Sequence, residues 1–566
     1  MQRRWMIGLA VGALAVASAV PAAAAAAKGG PAVEGGYQVK VLVQGAPIHG
    51  ANGLAADSAG RVLVASLFGG EIVVLDGRTG QIVDRLGHGV GVDAPDDVAV
   101  APDGSMYWTD LGLGQVGRRA PDGSVTKQFI GVGVNPVTVR DDGRVFVGQG
   151  FLGNGLYELD PLLVDPPRVL IPDTDPTGGP NQLNGFDFGP DGYLYAPQPM
   201  LSRVVRVDPE TGAITVVAEA LPAPPSSVEF DADGDLYASL LTGTVVRIDL
   251  ASGGFRTVAE IDGAMFDNMT FDARGALLVS DSHNGAVYRL ARGGGVQTFS
   301  PGGLILPGGV AVVRNGLASE SLFVADGWRL YELDARSGSV RGVSAGDIRG
   351  LGLSNPFTVA PDGDHLILTS WFTNSVQVWD PAASSEVAIH HDFAWPVNAI
   401  RFQGDLVVAQ VGTGSVVRRT ASGATTPIAQ GLAYPSGLAA TDDDLWVADW
   451  ATGLVWQAVA DGVVLDPLQL VAGGLQFPEG MAVDVDGTLL VVEAVGPDQG
   501  QLTRVDPTIG GTSVVATGLE TFVQGSAVFP PSLALSSVAV SASGTLYVTG
   551  DRGSVVYRLQ PVGRSS

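Results

Sequence analysis

The sequence contains no cysteine. That excludes disulfides, thiolate nucleophiles and Cys-ligated zinc or iron–sulfur centres. Charged residues make up only 16% of the chain, and basic ones are scarce, 32 against 58 acidic, for a net charge of −26 at pH 7. A field of that sign repels a phosphate backbone, so no nucleic-acid partner is expected. There are six histidines, and with no Cys beside them a soft transition-metal site is disfavoured. Beyond the N-terminus no apolar run is long enough to span a bilayer, and no stretch carries a capped helical period. No G-x-S-x-G or other nucleophile motif occurs.

Glycine is abundant, at 79 of 566 residues, in a chain that is 46% hydrophobic. That is a turn-rich β composition with length for more than one domain. The N-terminus reads as a basic start (MQRRW), an apolar run from Met6 to Val20, and a small-residue stretch from Pro21 to Ala27. The expectation is a secretory signal peptide over residues 1–27, leaving a periplasmic or secreted mature protein. The Arg3-Arg4 pair hints at twin-arginine export.

The rest of the chain repeats at roughly 40–50 residues, the period of propeller blades. Each copy runs apolar strand, Asp-Gly turn, apolar strand with a polar last residue, Gly, strand, turn, strand. Clear copies are PDDVAVAPDGSMYWTD (95–110), LNGFDFGPDGYLYAPQ (183–198) and PEGMAVDVDGTLLVVE (478–493). The strands alternate apolar and polar residues with period two, and D-A-D-G (231–234) and D-V-D-G (484–487) between them read as tight turns. Twelve copies in one ring would leave a wide empty channel. The expectation is therefore an all-β protein of two tandem six-bladed β-propellers of four-stranded antiparallel blades, the first over 37–294 and the second over 295–562. The last copy lacks a fourth strand, and the strand around Tyr37–Val43 belongs to no copy. The pairing expected here sets Tyr37–Val43 on the sixth blade and Val296–Ser300 on the twelfth, so that each ring is sealed by its own first strand.

The first strand of each blade lines the channel, and its first residues sit at the mouth. In the first ring these are Asn52, Asp96, Asn135, Asn184, Ser226 and Asp267, all bearing side-chain oxygens. In the second they are Gly308, Asn355, Val397, Ser436, Glu479 and Ser536, a mixed set with one carboxylate. Converging Asp and Asn oxygens are what a hard cation requires, Ca²⁺ or another divalent ion. The expected ligands are Asn52, Asp96, Asn135, Asn184, Asp267 and its neighbour Asn268, in the first ring only.

At these residues the chain resembles the gluconolactonase/regucalcin (senescence marker protein) family of six-bladed propellers and, more distantly, the paraoxonases. LNGFDFGPDG (183–192) is similar to the segment that supplies a calcium-binding Asn, here Asn184, and Asn135 stands at the equivalent place one blade earlier. FDNMTFD (266–272) resembles the paraoxonase Asp-Asn pair, giving Asp267 and Asn268. SDSHNG (280–285) resembles the His-containing turn that follows, giving His283. The resemblance implies a calcium-dependent hydrolase of a lactone or related ester, with Asp267 or His283 as catalytic base. Two features depart from it: Asn52 stands where the family has a Glu, and E-G-P-x-W is absent from the first ring. MYWTDLGLGQVGRR (106–119) and LWVADWATGLVWQ (445–457) also resemble streptogramin lyase and NHL-type blades. The alternatives are a lyase of that kind, or a non-catalytic propeller that binds a ligand or a protein partner through the second ring, where Trp371, Trp395, Trp446, Trp450 and Trp456 cluster in sequence.

Overall fold

The architecture is that of a computed structural model describing residues 30–33, 36–174, 181–291, 295–315, 319–346, 352–496, 499–525 and 529–562. The expected leader, residues 1–27, and the expected domain boundary at Gly294 lie outside the described residues.

The fifth blade shows how the repeat folds. Its strands are Pro225–Phe230, Leu236–Leu240, Thr244–Ile248 and Phe255–Glu260. The first three strands are mostly buried, and the fourth, FRTVAE, is the exposed one. D-A-D-G closes the first hairpin: the N–H groups of Asp233 and Asp235 both donate to Asp231 Oδ1 at 3.0 Å, and Gly234 takes φ 81°. Carboxylate and glycine are thus both committed to the turn.

Twelve such sheets form among the described residues, and one gains a short extra strand, Ala32–Val33, on its outer edge. Neighbouring first strands lie side by side and close into two rings. Ala51–Ala56 lies between Pro95–Val100 and Phe266–Phe271, so the sixth blade meets the first. Val310–Asn315 lies between Thr358–Asp362 and Val538–Val540, so the twelfth meets the seventh. Core clusters fill the blade interfaces; one joins Ile48, Leu54 and Val64 of the first blade to Leu278 and Val287 of the sixth.

The closing strands differ from expectation. Val296–Ser300 pairs with Val287–Leu290 and completes the sixth blade. Tyr37–Gln44 pairs with Val555–Pro561 and completes the twelfth. Only five residues separate Val287–Leu290 from Val296–Ser300 in sequence, so that pairing forms locally at little loop-closure cost. The edge left open is then in the twelfth blade, and only the N-terminal strand remains to cover it. The first ring is therefore inserted into the second, between its N-terminal strand and Val310.

Two connectors cross between the rings and bond together through Ala46 N–H, which donates to Leu304 O at 2.8 Å, while Gly45 N–H donates to Ser554 O of the twelfth blade at 2.8 Å. The mouth faces of the rings meet, through the turns that follow the second strands. Arg552, in that turn of the twelfth blade, donates to Gly69 O of the first at 2.8 Å. Arg329, from the turn of the seventh, donates to Gly263 O at 2.9 Å and lies 3.4 Å from Asp281 Oδ2, both in the sixth. Ala46, Ile305, Leu306, Phe357, Val523 and Ala534 form the apolar core of this seam. Among the described residues no helix is long and apolar enough to cross a membrane.

The closure makes a prediction. Deleting residues 30–44 opens a bare strand edge on the twelfth blade. Hydrogen exchange should then show protection lost first in blades seven and twelve while blades one to six keep theirs. Loss centred on blade six would contradict the pairing.

Candidate metal site in the first ring

Four of the first-ring mouth positions sit on irregularities in the ladder. The pairing register shifts between Ala51 and Leu54, Pro95 and Asp97, Pro225 and Ser227, and Phe266 and Met269. A bulge bends the strand and re-aims the side chains of the residues within it. Asn52, Asp96, Ser226, Asp267 and Asn268 all lie in these segments.

Asn52 and Asp96 are buried, and Asn52 Nδ2 donates to Asp96 Oδ1 at 2.8 Å. Asn135 and Asn184 are half-buried neighbours, with Nδ2 of the first 3.4 Å from Oδ1 of the second. Ser226 faces its own blade and the next, donating to Phe266 O at 2.9 Å. The Asp267 carboxyl accepts no hydrogen bond among the described residues, although its backbone oxygen accepts from Ser239 Oγ at 3.4 Å. Burial, with Asp96, Asp97 and Asp281 nearby, pushes its carboxyl well above the usual range. Asp96 is pushed up to about 6 by burial, against the Asn52 amide that lowers it.

Three contributors escaped the sequence reading. Asp97 is buried beside Asp96, and burial pushes it up to about 7. Its Oδ1 accepts from Val98 N–H and Asn268 Nδ2, each at 2.9 Å, and its Oδ2 from Val137 N–H at 2.9 Å. Further along the inner strands lie Asp187, pushed up to about 6 by burial, and Glu229, pushed well up by burial and by Asp187. Each stands three residues after its mouth residue. The available signal was a lone acid inside an otherwise apolar innermost strand, as in GFDF and SVEF.

Asn268 is engaged at both ends of its amide, since its Oδ1 also accepts Met269 N–H at 3.0 Å. Its role in this geometry is to brace Asp97 from blade six, across the inner strand of blade one that lies between them. His283 departs from the exposed turn position that its sequence suggests. It is 3% exposed and stacks on Trp328 of the second ring, with ring centroids 4.9 Å apart. Burial and the Arg329 guanidinium hold its imidazole well below the ordinary value. Its Nδ1 has no hydrogen-bond partner among the described residues.

The second-ring mouth carries a mixed set of side chains. Its one carboxylate, Glu479, accepts from Ser532 Oγ at 2.6 Å and from Ser536 N–H at 2.8 Å, so both oxygens are occupied. Trp446 is buried in a blade interface and Trp450 packs on Tyr434 and Phe477, which makes them packing residues.

The first-ring donor set is suited to a hard divalent cation. All its donors are oxygens, and Asp96, Asp97 and Asp267 repel one another inside a desolvated channel, a strain that a cation relieves. Among the described residues no three His, Asp or Glu side chains close to metal-holding spacing, so a shell would draw on the Asn oxygens and water.

The raised carboxyls set a pH dependence. Each binds its proton more tightly in the folded than in the unfolded chain, so ionisation opposes folding. The penalty is absent below the unfolded value of 3.8 and complete above the folded values of about 6 and 7. Without added cation, stability should fall between pH 4 and pH 8. Calcium should restore it, binding more tightly at pH 8 than at pH 5 with release of protons. Melting curves and calorimetric titration in buffers of different ionisation enthalpy measure both.

A strictosidine synthase-like, N-terminal family model matches residues 213–248, within blades four and five. No curated protein matches the chain. Among solved structures, a streptogramin B lyase is 16% identical, with 51% of this chain and 95% of that one covered and a TM-score of 0.38. Virginiamycin B lyase from Staphylococcus aureus is 14% identical, with 59% and 96% covered and a TM-score of 0.23. The extracellular domain of a protein described as a hybrid two component system, from B. thetaiotaomicron, is 12% identical, with 92% and 82% covered and a TM-score of 0.31.

Proposed function

We propose that this chain is an exported, calcium-dependent hydrolase of lactones or related esters, acting at the mouth of the first ring. One observation carries the reading: buried Asp96 and Asp97 act with half-buried Asp267 at a mouth that also carries Asn52, Asn135 and Asn184, and desolvation and mutual charge raise the proton affinities of these carboxyls. Asn52, Asp96, Asn135, Asn184 and Asp267 would hold the Ca²⁺ or another divalent cation. When bound, that ion supplies Lewis-acid polarisation of the substrate carbonyl and a counter-charge for the developing oxyanion.

The protein's own groups do the rest. Asp267, with its raised proton affinity and no competing side-chain donor, takes the proton of the attacking water. Asp97 is fixed in place by three N–H donors beside Asp96. His283 has too little proton affinity to serve as the base and lies against Trp328, so it is given no proton-transfer step.

The test is bound calcium and hydrolysis of a lactone and ester panel. Asp267→Asn should lower turnover by about 10²–10⁴. Asn184→Ala should weaken calcium binding and leave turnover at saturating calcium less affected. A wild-type protein that binds no divalent cation and is inert across the panel would sink the reading and leave a binding role.

A further inference from the structure

The first-ring mouth is spanned by aromatic side chains, most of them from the second ring. His283 in blade six stacks on Trp328 at 4.9 Å with planes 9° apart. Trp328 meets Phe372 edge-on at 5.1 Å, and Phe372 stacks on Phe151 at 6.5 Å and 17°. Phe151 belongs to blade three, which stands opposite blade six in a six-membered ring. The series therefore runs across a diameter of the mouth. Phe529, from the loop into blade twelve, lies 6.4 Å from Phe151 and 5.8 Å from Trp371 and thickens the arch.

Both feet of the arch stand at the polar rim. On the blade-three side Gln182 Nε2 donates to Phe151 O at 2.9 Å, two residues before Asn184, and Gln149 bridges to Asn135. On the blade-six side Asp281, next to the His283 turn, is one of the charges acting on Asp267. Trp328, Phe372 and Phe151 are only half-buried, so part of each ring stays open. His283, 3% exposed, keeps an unpartnered Nδ1 at one foot.

We infer that the ligand site is a chamber built by both rings, with a polar floor from the first and an aromatic roof from Trp328 and Phe372 of the second. Its ligand is amphipathic: a flat apolar or aromatic group lies against the roof and a hydrogen-bonding carbonyl faces Asn135, Asn184 and Asp267. Trp328 and Phe372 are specificity-determining residues, and the second ring is part of the site. The placement of the carbonyl rests on the hydrolase reading; the roof does not.

The test compares 3,4-dihydrocoumarin with δ-valerolactone, which share a six-membered lactone and differ by the fused benzene ring. Their dissociation constants are measured by calorimetry with the full-length protein in EDTA, and hydrolysis is assayed separately with calcium. The wild type should favour dihydrocoumarin by about fivefold or more. Phe372→Ala and Trp328→Leu should lose most of that preference, weakening dihydrocoumarin binding several-fold more than δ-valerolactone binding. Phe129→Ala, an exposed phenylalanine elsewhere, should keep it. Phe372→Leu replaces the alanine variant if melting curves show that Phe372→Ala unfolds. Equal affinity for the two lactones in the wild type, or an undiminished preference in the folded roof variants, overturns the inference. Ring preference without hydrolysis would uphold the roof and defeat the hydrolase reading; hydrolysis without ring preference would do the reverse.

Discussion

The structure depends on a buried acceptor at the end of the second strand in most blades. Asp110 accepts from Ala94 N–H at 3.0 Å. Asp326 accepts from Ile305 and Leu306, Asp449 from Ala433 and Tyr434, and Asp551 from Phe522 and Val523. Glu493 and Gln410 do the same for Gln476 and Ala394. In each case the side chain holds the loop that leads into the first strand of its own blade. A charge-assisted bond of this kind is worth about 1.5–3 kcal/mol, and an unpaired carboxylate in the same place would be strongly destabilising. The cap fixes where the innermost strand begins, and with the bulge that follows it fixes where the mouth residues point.

Because every cap lies on the mouth side, the mouth is where backbone and charge are most tightly specified. In blade six the same device serves a second purpose. Asp281 accepts backbone N–H groups there and also faces Arg329 of the second ring, which leaves it pushed up only to about 6 despite its burial. Arg329 and the His283–Trp328 stack tie the loop before the Asp267 strand, and the turn after the next strand, to the second ring. Insertion of the first ring between the N-terminal strand and Val310 reinforces this, since both chain crossings enter at that seam. Two rings joined only by a linker would be free to swing apart; here the crossings, the salt bridge and the apolar seam hold the mouths face to face.

The rings use one blade plan for different ends. The bulge recurs in the second ring, between Pro478 and Met481 for instance. Its mouth nonetheless carries one carboxylate, already saturated by Ser532 and Ser536. The plan sets where a side chain points, and the residue placed there decides whether the opening concentrates charge or merely packs. What the second ring brings instead is Trp328, Phe372 and Phe529, on loops that the blade pattern leaves free to vary.

The sequence by itself determined the blade. Period-two alternation, Asp-Gly turns and a polar residue ending the second strand are local signals, and they placed the strands, the turns at 231–234 and 484–487, and the mouth row from Asn52 to Asp267. Asp97, Asp187 and Glu229 went unread because their meaning depends on the neighbouring blade: Asp97 takes its donors from Val137 and Asn268, far apart in the chain. Tertiary structure alone decided which strand seals which ring, since Tyr37–Gln44 and Val296–Ser300 carry similar patterns and differ in which edge is free when they arrive. It also decided the fate of His283, a turn residue in its own blade that is buried because the second ring folds back over it. Local periodicity encodes hairpins; the pairing of ring with ring is a contact between surfaces, and no stretch of the chain contains both halves of it.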